Sequence, residues 1–337
     1  MLHTRLCDLF GIDLPILNAG MGGVALAPLA AAVSEAGGLG TIALAGFTAE
    51  ATLSEISAAR SATKKPFGVN LLIPFLRDGT FELLAKENLD AVTLFWGDPS
   101  VMIPTAKADG IKRVIWQCGS AAEALEARRA GADAIIAQGF EAGGHVRGTI
   151  TTLALIPEVR DAIGDLPLIA AGGIVDGRGL AAVLALGADG AVFGTRFLAS
   201  PEAAAHPIYK QRILAAHASG TIHTKLFDVG WPDAAHRVLR TKLVEEWERA
   251  GCPEPGKRPG EGEPIGTMRG RGLEVPLVKY SVMAPADYIE GDIESLALYA
   301  GESVSLVREI LPAKEIVRRI AEEARAVISS RLAPLAK

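Results

Sequence analysis

Short apolar runs recur about every 20 to 30 residues along the first two hundred positions, and a segment of helical periodicity follows each run. Eight of these runs are predicted to be buried strands, at residues 14–17, 39–43, 67–71, 91–95, 113–117, 133–137, 167–171 and 190–193. Regular alternation of strand and helix is typical of parallel α/β sheets. Eight units within about 190 residues favour a closed (β/α)8 TIM barrel over the alternative, an open doubly wound sheet.

Two of the connections from a helix to the next strand share a short sequence motif. Ala130-Gly131-Ala132-Asp133 and Leu186-Gly187-Ala188-Asp189 both end a predicted helix at glycine and lead into the next strand. The first of these helices spans 120–130, where Ser120 and Glu123 have capping-box spacing. The second spans 176–186. The recurrence of this motif fits a chain built from repeated βα units.

The regular alternation of strand and helix patterns ends at about residue 200. Residues 206–218 and 234–250 are predicted helices, and residues 251–272 hold seven glycines and four prolines, as a long loop or lid would. An amphipathic helix after Pro312 is predicted to pack on the barrel. We therefore predict a barrel core at 1–217, a mainly helical substrate-covering domain or lid at 218–300, and a C-terminal helical segment at 301–337.

Composition excludes several classes of protein. A hydrophobic content of 49% indicates a large core, and a net charge of −5 disfavours nucleic-acid or anionic-membrane partners. Three widely spaced cysteines predict reduced thiols in a cytoplasmic protein. Residues 14–49 carry one charge, but seven glycines and two prolines interrupt them, so no apolar run of about 20 residues is left to span a membrane. The N-terminus shows no convincing signal peptide.

The most informative loop follows the sixth predicted strand. Gly143 and Gly144 allow a sharp turn and deliver His145, whose side chain suits proton transfer near neutral pH. At the carboxyl end of a barrel strand, a catalytic role is favoured over a structural one. Glu141 either orients His145 or caps the loop. The other five histidines lack this context and are predicted to be surface or packing residues, and no second histidine is spaced for metal binding.

Two later loops resemble a phosphate site. Gly172 and Gly173 follow the seventh strand, and Gly194 and Thr195 follow the eighth. In (β/α)8 barrels these loops often bind phosphate through backbone N–H groups. The alternative is that the glycines only relieve crowding in tight turns.

Other strand ends offer groups that suit a flat, polar ligand. Ala19, Gly20 and Met21 follow the first strand, without the GxGxxG spacing of a dinucleotide site. Asn70 and Gln117 place amides at the ends of the third and fifth strands, although either amide taken singly could equally well hold a loop carbonyl. The aromatic pair Phe95 and Trp96 after the fourth strand either narrows a substrate pocket or is plain packing.

Six motifs occur in order: Pro15-Ile16-Leu17-Asn18-Ala19-Gly20-Met21, Ala36-Gly37-Gly38-Leu39-Gly40, Lys65-Pro66-Phe67-Gly68-Val69-Asn70, Glu141-Ala142-Gly143-Gly144-His145, Ala170-Ala171-Gly172-Gly173-Ile174 and Gly194-Thr195-Arg196-Phe197. Together they resemble the nitronate monooxygenase family, formerly called 2-nitropropane dioxygenases. Flavin-dependent enoyl-acyl-carrier-protein reductases and some NADH:quinone reductases share the scaffold. The resemblance covers roughly residues 10–215 and weakens beyond them.

The resemblance implies an FMN cofactor and a role for each motif. The FMN phosphate would lie at Gly172, Gly173, Gly194 and Thr195. The isoalloxazine would lie beside Ala19, Gly20 and Met21, with polar contacts from Asn70, Gln117 and Gly144. His145 matches the family's catalytic histidine.

The implied reaction is oxidation of an alkyl nitronate, or of its parent nitroalkane, by oxygen to a carbonyl compound and nitrite, with His145 as the base. The alternative is an NAD(P)H-dependent FMN reductase acting on a quinone or an enoyl thioester. A flavin-binding module without turnover and a sugar-phosphate aldolase or isomerase are weaker readings. The expected partners are a small-molecule substrate and oxygen, and a homodimer is left open.

Overall fold

The structure is a computed structural model that describes residues 2–217, 219–270 and 273–336. Its strands in chain order are β1 Ile16–Asn18, β2 Gly40–Ala43, β3 Phe67–Leu72, β4 Ala91–Phe95, β5 Val114–Cys118, β6 Ala134–Gln138, β7 Gly144–His145, β8 Leu168–Ala171, β9 Gly190–Phe193, β10 Thr221–Thr224, β11 His236–Leu239, β12 Pro264–Gly270, β13 Leu273–Val278 and β14 Ile289–Gly291. Its α-helices are α1 Arg5–Phe10, α2 Ala27–Glu35, α3 Ala49–Ala62, α4 Thr80–Lys86, α5 Pro99–Ala108, α6 Ala121–Arg129, α7 Thr152–Ile163, α8 Gly177–Ala185, α9 Thr195–Leu198, α10 Pro207–Ala215, α11 Lys242–Arg249 and α12 Ala313–Val327.

Eight parallel strands form the barrel, in the order β1-β9-β8-β6-β5-β4-β3-β2. A parallel bridge between Leu17 and Leu39 joins the first and last strands of this order and closes the sheet. The (β/α)8 barrel predicted from the sequence is confirmed. Each of its eight strands falls within two residues of the predicted segment at both ends.

Asn18 completes the closure where β1 and β2 meet. Its Oδ1 accepts a hydrogen bond from the Thr41 backbone N–H at 2.8 Å, and its Nδ2 donates to the Thr41 carbonyl at 2.8 Å. The side-chain amide thus takes the place of a peptide group of a neighbouring strand. Asn18 is 1% exposed, so these bonds form away from competing water.

The barrel interior is apolar at its amino end. Alternate strand residues, among them Leu17, Ile115, Ile136 and Ile169, point inward and cluster with Phe10 of the short helix α1. Arg5 in that helix pairs with Asp189, directly before β9, at 2.8 Å. Helix α1 therefore plugs the amino end and leaves the carboxyl end of the barrel for ligands.

The outer helices cover the other face of each strand. Helix α12 buries Ile316, Val317 and Ile320 and packs against α8 and α2, as predicted for the amphipathic C-terminal segment. No helix in the described part of the chain has both the length and the apolar character needed to cross a bilayer. Cys7 and Cys118 are buried, Cys252 is exposed, and all three are free thiols.

The prediction that residues 218–300 are mainly helical is wrong. The described part of this segment holds five strands, β10 to β14, and one α-helix, α11. The predicted helix at 234–250 divides into β11 and α11, because residues 236–239 pair with strands on both sides, and tertiary pairing overrides local helix propensity. The segment limits at 217/218 and 300/301 stay predictions.

The prediction of a loop over residues 251–272 holds only to residue 263. Pro264 begins β12, the middle strand of the sheet β13-β12-β14. A Cβ at Gly266 would lie 2.2 Å from the Glu290 carbonyl oxygen, so this glycine permits close strand approach rather than a flexible loop. Arg271 and Gly272 lie outside the described residues.

Candidate active site

The loop after β8 requires glycine at both predicted positions. Gly172 has φ 99° and Gly173 has φ 72°, a left-handed region that other residues seldom adopt. A Cβ at Gly172 would also lie 2.8 Å from the Gly139 carbonyl oxygen. This backbone therefore turns tightly against the loop that leads from β6 to His145, and both loops lie at the carboxyl end of the barrel.

The predicted residues after β1, β3 and β9 come together. A Cβ at Gly20 would lie 2.4 Å from the Asn70 Cβ, and a Cβ at Gly194 would lie 3.6 Å from the Ala19 Cβ. The Ala19 N–H donates to the Phe193 carbonyl at 3.0 Å. Met21 follows on the same loop and is partly buried against the core. These contacts make one continuous surface of small residues.

Thr195 is the first residue of α9 and links the barrel to Gly301, which lies after the sheet β13-β12-β14 in the chain. Its Oγ1 accepts a hydrogen bond from the Gly301 N–H at 3.1 Å. Gly143 packs against the same residue, since a Cβ added at Gly143 would lie 2.4 Å from the Gly301 nitrogen. The phosphate-type loop after β9 and the histidine loop therefore share one neighbour.

A layer of polar side chains faces the barrel interior near its carboxyl end. Asn70, Thr93, Gln117 and Gln138 occupy inward positions on four successive strands, β3 to β6. Gln138 was missed because the predicted sixth strand ends one residue too early, at 137. Its Nε2 donates to the His145 carbonyl at 2.9 Å, and its buried Oε1 has no partner. An unpaired buried acceptor is costly, so this atom is suited to a ligand N–H group.

His145 lies on the two-residue strand β7, which pairs with β11 of the added segment. Gly144 pairs with Arg237 and has φ 77°, and His145 pairs with His236. A Cβ at Gly144 would meet nothing within 4 Å. Gly144 therefore borders open space, while backbone pairing fixes the direction in which the His145 side chain leaves the loop.

Aromatic rings surround the His145 imidazole. Trp231 lies 4.1 Å from it between ring centroids, Tyr299 5.5 Å and Trp96 6.0 Å. Trp96 also contacts Trp231 at 5.0 Å and has φ 70°, a strained conformation for a tryptophan. These contacts favour the pocket role of Trp96, whereas Phe95 is buried inside the barrel. Trp231 and Tyr299 were not identified from the sequence, because they lie far along the chain in irregular segments.

Burial, together with a smaller contribution from the neighbouring His236, lowers the pKa of His145 to about 3. The His145 Nε2 is buried and has no hydrogen-bond partner. At neutral pH the imidazole is therefore uncharged, and one of its nitrogens offers a lone pair. In this form the imidazole can accept a proton at the nitrogen that carries no hydrogen.

Glu141 caps a helix and does not orient His145. Its carboxylate accepts hydrogen bonds from the Thr152 N–H at 2.9 Å and from the Thr152 Oγ1 at 3.1 Å. Thr152 is the first residue of α7, whose preceding residue Thr151 makes no side-chain cap. Glu141 thus supplies the missing cap and anchors the histidine loop to the barrel.

A cleft of about 800 Å³ opens beside this cluster, between the loops after β4, β5 and β6. Arg147 lines it, pairs with Glu123 at 3.3 Å and places its guanidinium 5.9 Å from the Trp96 ring. Ser120 caps α6 as predicted, but the capping box is incomplete. Burial raises the pKa of Glu123, and its carboxylate instead accepts from Trp116 Nε1 and the Gly119 N–H.

The chain is similar to proteins of known family along nearly its whole length. A family model described as nitronate monooxygenase matches residues 3–78 and 76–323. A nitronate monooxygenase from Pseudomonas aeruginosa is 34% identical, over 96% of this chain and 100% of the relative. A relative from Mycobacterium tuberculosis, named (3aS,4S,5R,7aS)-5-hydroxy-7a-methyl-1-oxo-octahydro-1H-indene-4-carboxyl-CoA dehydrogenase, is 35% identical over 96% of each protein.

A solved structure has the same architecture. FabK from Thermotoga maritima superposes with a TM-score of 0.76 at 33% identity and covers 97% of this chain and 98% of its own. The relatives thus agree on the scaffold and carry different names. The chain belongs to the nitronate monooxygenase family and is a flavin-dependent oxidoreductase.

Proposed function

We propose that the protein binds FMN and oxidises alkyl nitronates, and the nitroalkanes from which they form, to a carbonyl compound and nitrite with oxygen. The observation that carries this proposal is the neutral, buried His145 imidazole at the carboxyl end of the barrel, walled by Trp96, Trp231 and Tyr299. The Nε2 of this ring has no protein partner, so it is free to accept a proton from a substrate carbon, and the surrounding rings exclude water that would compete for it.

The residues at the barrel mouth fit FMN. Gly172, Gly173, Gly194 and Thr195 would hold the phosphate, since two left-handed glycines let backbone N–H groups approach an anion. Ala19, Gly20 and Met21 would lie beside the flavin ring. Asn70, Gln117, Gly144 and, in addition, Gln138 with its unpaired Oε1 would contact polar edges of the ring. When bound, FMN supplies the redox chemistry and the reaction with oxygen.

The chain's own side chains orient the substrate and move its proton. His145 accepts the proton from the carbon next to a nitro group, and it orients a nitronate that arrives already ionised. Trp231 and Trp96 form apolar walls against the carbon skeleton. The family shares the flavin chemistry, so these walls determine which carbon acid reaches the base.

The test compares nitroethane with ethyl nitronate while oxygen uptake and nitrite release are recorded. Nitroethane needs the base, whereas ethyl nitronate is already deprotonated. We expect His145→Asn to retain bound FMN, to lose at least a hundredfold in kcat/KM for nitroethane and to lose less for the nitronate. Equal turnover of nitroethane by the variant and the wild type would overturn the role of His145.

A second candidate is dehydrogenation or reduction of a CoA or carrier thioester. It is favoured by the cleft beside Trp96, whose volume of about 800 Å³ exceeds what a small nitroalkane fills. It is also favoured by the name of the relative from Mycobacterium tuberculosis, which describes the dehydrogenase of a cyclic carboxyl-CoA thioester. Anaerobic mixing distinguishes the candidates. Flavin bleaching by NADH indicates the reductase, bleaching by a saturated acyl-CoA indicates the dehydrogenase, and bleaching by neither supports the nitronate reaction.

A further inference from the structure

His236, in the added segment, is the direct backbone partner of His145. The two residues face each other in the antiparallel pair of β11 and β7, and the Val146 N–H donates to the Ala235 carbonyl at 2.9 Å. Their rings lie 5.4 Å apart between centroids at an angle of 63°. The added segment therefore contacts the histidine loop in two ways, through the backbone pairing of β11 with β7 and through the His236 side chain.

Two backbone groups fix the proton position on His236. Its Nδ1 lies 2.9 Å from the Ala234 carbonyl oxygen, and its Nε2 lies 3.3 Å from the Phe227 nitrogen. A carbonyl only accepts and an N–H only donates, so Nδ1 carries the proton and Nε2 carries the lone pair. A second proton would displace the Phe227 N–H from its acceptor. His236 is 0% exposed, and burial lowers its pKa to about 4.

His145 lacks the carboxylate that commonly orients a histidine base. In the described part of the chain, no acidic side chain makes a hydrogen bond or ion pair with its ring. The groups that face it are Trp96, Trp231, Tyr299 and His236. Burial raises the pKa of Tyr299, so its hydroxyl stays neutral. Asp228 and His223 act electrostatically on His236. Arg147 lies two residues after His145, with its guanidinium 5.9 Å from the centre of the Trp96 ring.

We propose that His236 is the positioning residue for His145: an imidazole locked in one uncharged tautomer holds the base in place without placing a negative charge beside it. The proposal rests on the role of His145 as a base. A carboxylate at this position would raise the pKa of His145, so at acid pH more of the imidazole would be protonated and unable to take a proton from carbon. The neutral ring keeps His145 available as a base down to acid pH.

The test uses two variants of the holoenzyme labelled with 15N-histidine, His236→Asp and His236→Asn. NMR follows the ring nitrogens of His145 through a pH titration without substrate. We expect Asp to raise the pKa of His145 by at least about one unit and Asn to leave it close to the wild-type value. In turnover of nitroethane, the acid limb of kcat/KM should move up with Asp only. Asn should lower kcat about tenfold with KM nearly unchanged, because the base is held less firmly.

The outcomes separate this proposal from the proposed function. The NMR titration needs no substrate, so it reports on His236 even if nitroethane proves inert. A folded, flavin-loaded His236→Asp protein with an unchanged His145 titration overturns the proposal. If Asp prevents folding, His236→Asn decides: a wild-type kcat overturns the positioning role, and a selective fall in kcat supports it. A loss of stability without a shift in the His145 titration and without a fall in kcat indicates that His236 only packs, and this outcome also overturns the proposal.

Discussion

Trp231 stacks on His145, with ring centroids 4.1 Å apart and planes inclined by 30°. Trp231 is 7% exposed and comes from the loop between β10 and β11, whereas His145 comes from the barrel loop after β6. The stack therefore joins the added segment to the barrel at the candidate base. It covers one face of the imidazole and so contributes to the burial that lowers the pKa of His145.

Replacing Trp231 should move the pH dependence of activity. Trp231→Leu admits water to the imidazole, so we expect the pKa of His145 to rise from about 3 toward its ordinary value of 6.5. Since only the neutral base is active, the acid limb of kcat/KM for nitroethane should move upward by one unit or more. Trp231→Phe keeps an aromatic cover and is the matched control, with a smaller shift. Identical acid limbs in both variants would contradict this account of the low pKa.

The same burial should make stability depend on His145 below pH 6.5. In the unfolded chain His145 has a pKa near 6.5, whereas in the folded protein its pKa is about 3. Its contribution to the unfolding free energy is therefore fully present above pH 6.5 and is lost as the pH falls toward 3. Relative to His145→Asn, the wild type should lose about 1–2 kcal/mol of unfolding free energy between pH 7 and pH 5. Urea denaturation of both proteins at the two pH values measures this. A pH-independent difference would show that the folded ring titrates normally.

The barrel could be predicted from the sequence because each strand and helix carries its own periodicity. The glycines of the phosphate-type loop could be predicted for a similar reason, because a backbone with positive φ favours glycine and so often leaves one in the sequence. Gly172 and Gly173 are examples, both left-handed and both at a predicted strand end. These features depend on residues close together in the chain, which a single sequence displays.

The surroundings of His145 could not be predicted in the same way. His236 pairs with His145 across 91 positions of sequence, and the strand β7 that receives it is only two residues long. The run His-Arg-Val-Leu of β11 shows no clean alternation of polar and apolar residues, so the sequence alone predicts a helix there. Trp231 lies in an irregular loop. Such contacts follow from the packing of the added segment on the barrel and leave no local pattern.

Barrel closure should depend on Asn18. Asn18→Leu has a similar volume but leaves the Thr41 N–H and carbonyl unpaired at a buried position. We expect a loss of about 2–4 kcal/mol in unfolding free energy, because each unpaired buried group costs about 1–3 kcal/mol. Gln211→Ala, at an exposed position of α10, is the control and should change stability by less than about 0.5 kcal/mol. Urea denaturation followed by circular dichroism measures both, and equal effects would remove Asn18 from the closure.

Replacing Gly173 by alanine should weaken flavin binding by more than its backbone strain explains. Gly46 provides the matched comparison. The two glycines have φ of 72° and 73°. A Cβ at Gly173 has its nearest neighbour at 3.4 Å, on Glu141, and a Cβ at Gly46 meets nothing within 4 Å. Both Gly→Ala variants thus pay a similar strain of about 1 kcal/mol, and neither creates a severe clash in the protein itself.

Of these two glycines, only Gly173 lies in the loop after β8, where a Cβ would come between backbone N–H groups and a bound phosphate. FMN titration of the apoprotein should therefore show at least tenfold weaker binding for Gly173→Ala and wild-type binding for Gly46→Ala, with similar losses of thermal stability. Equal FMN affinity in the two variants would place the phosphate elsewhere, since strain alone would then account for everything that alanine does at Gly173.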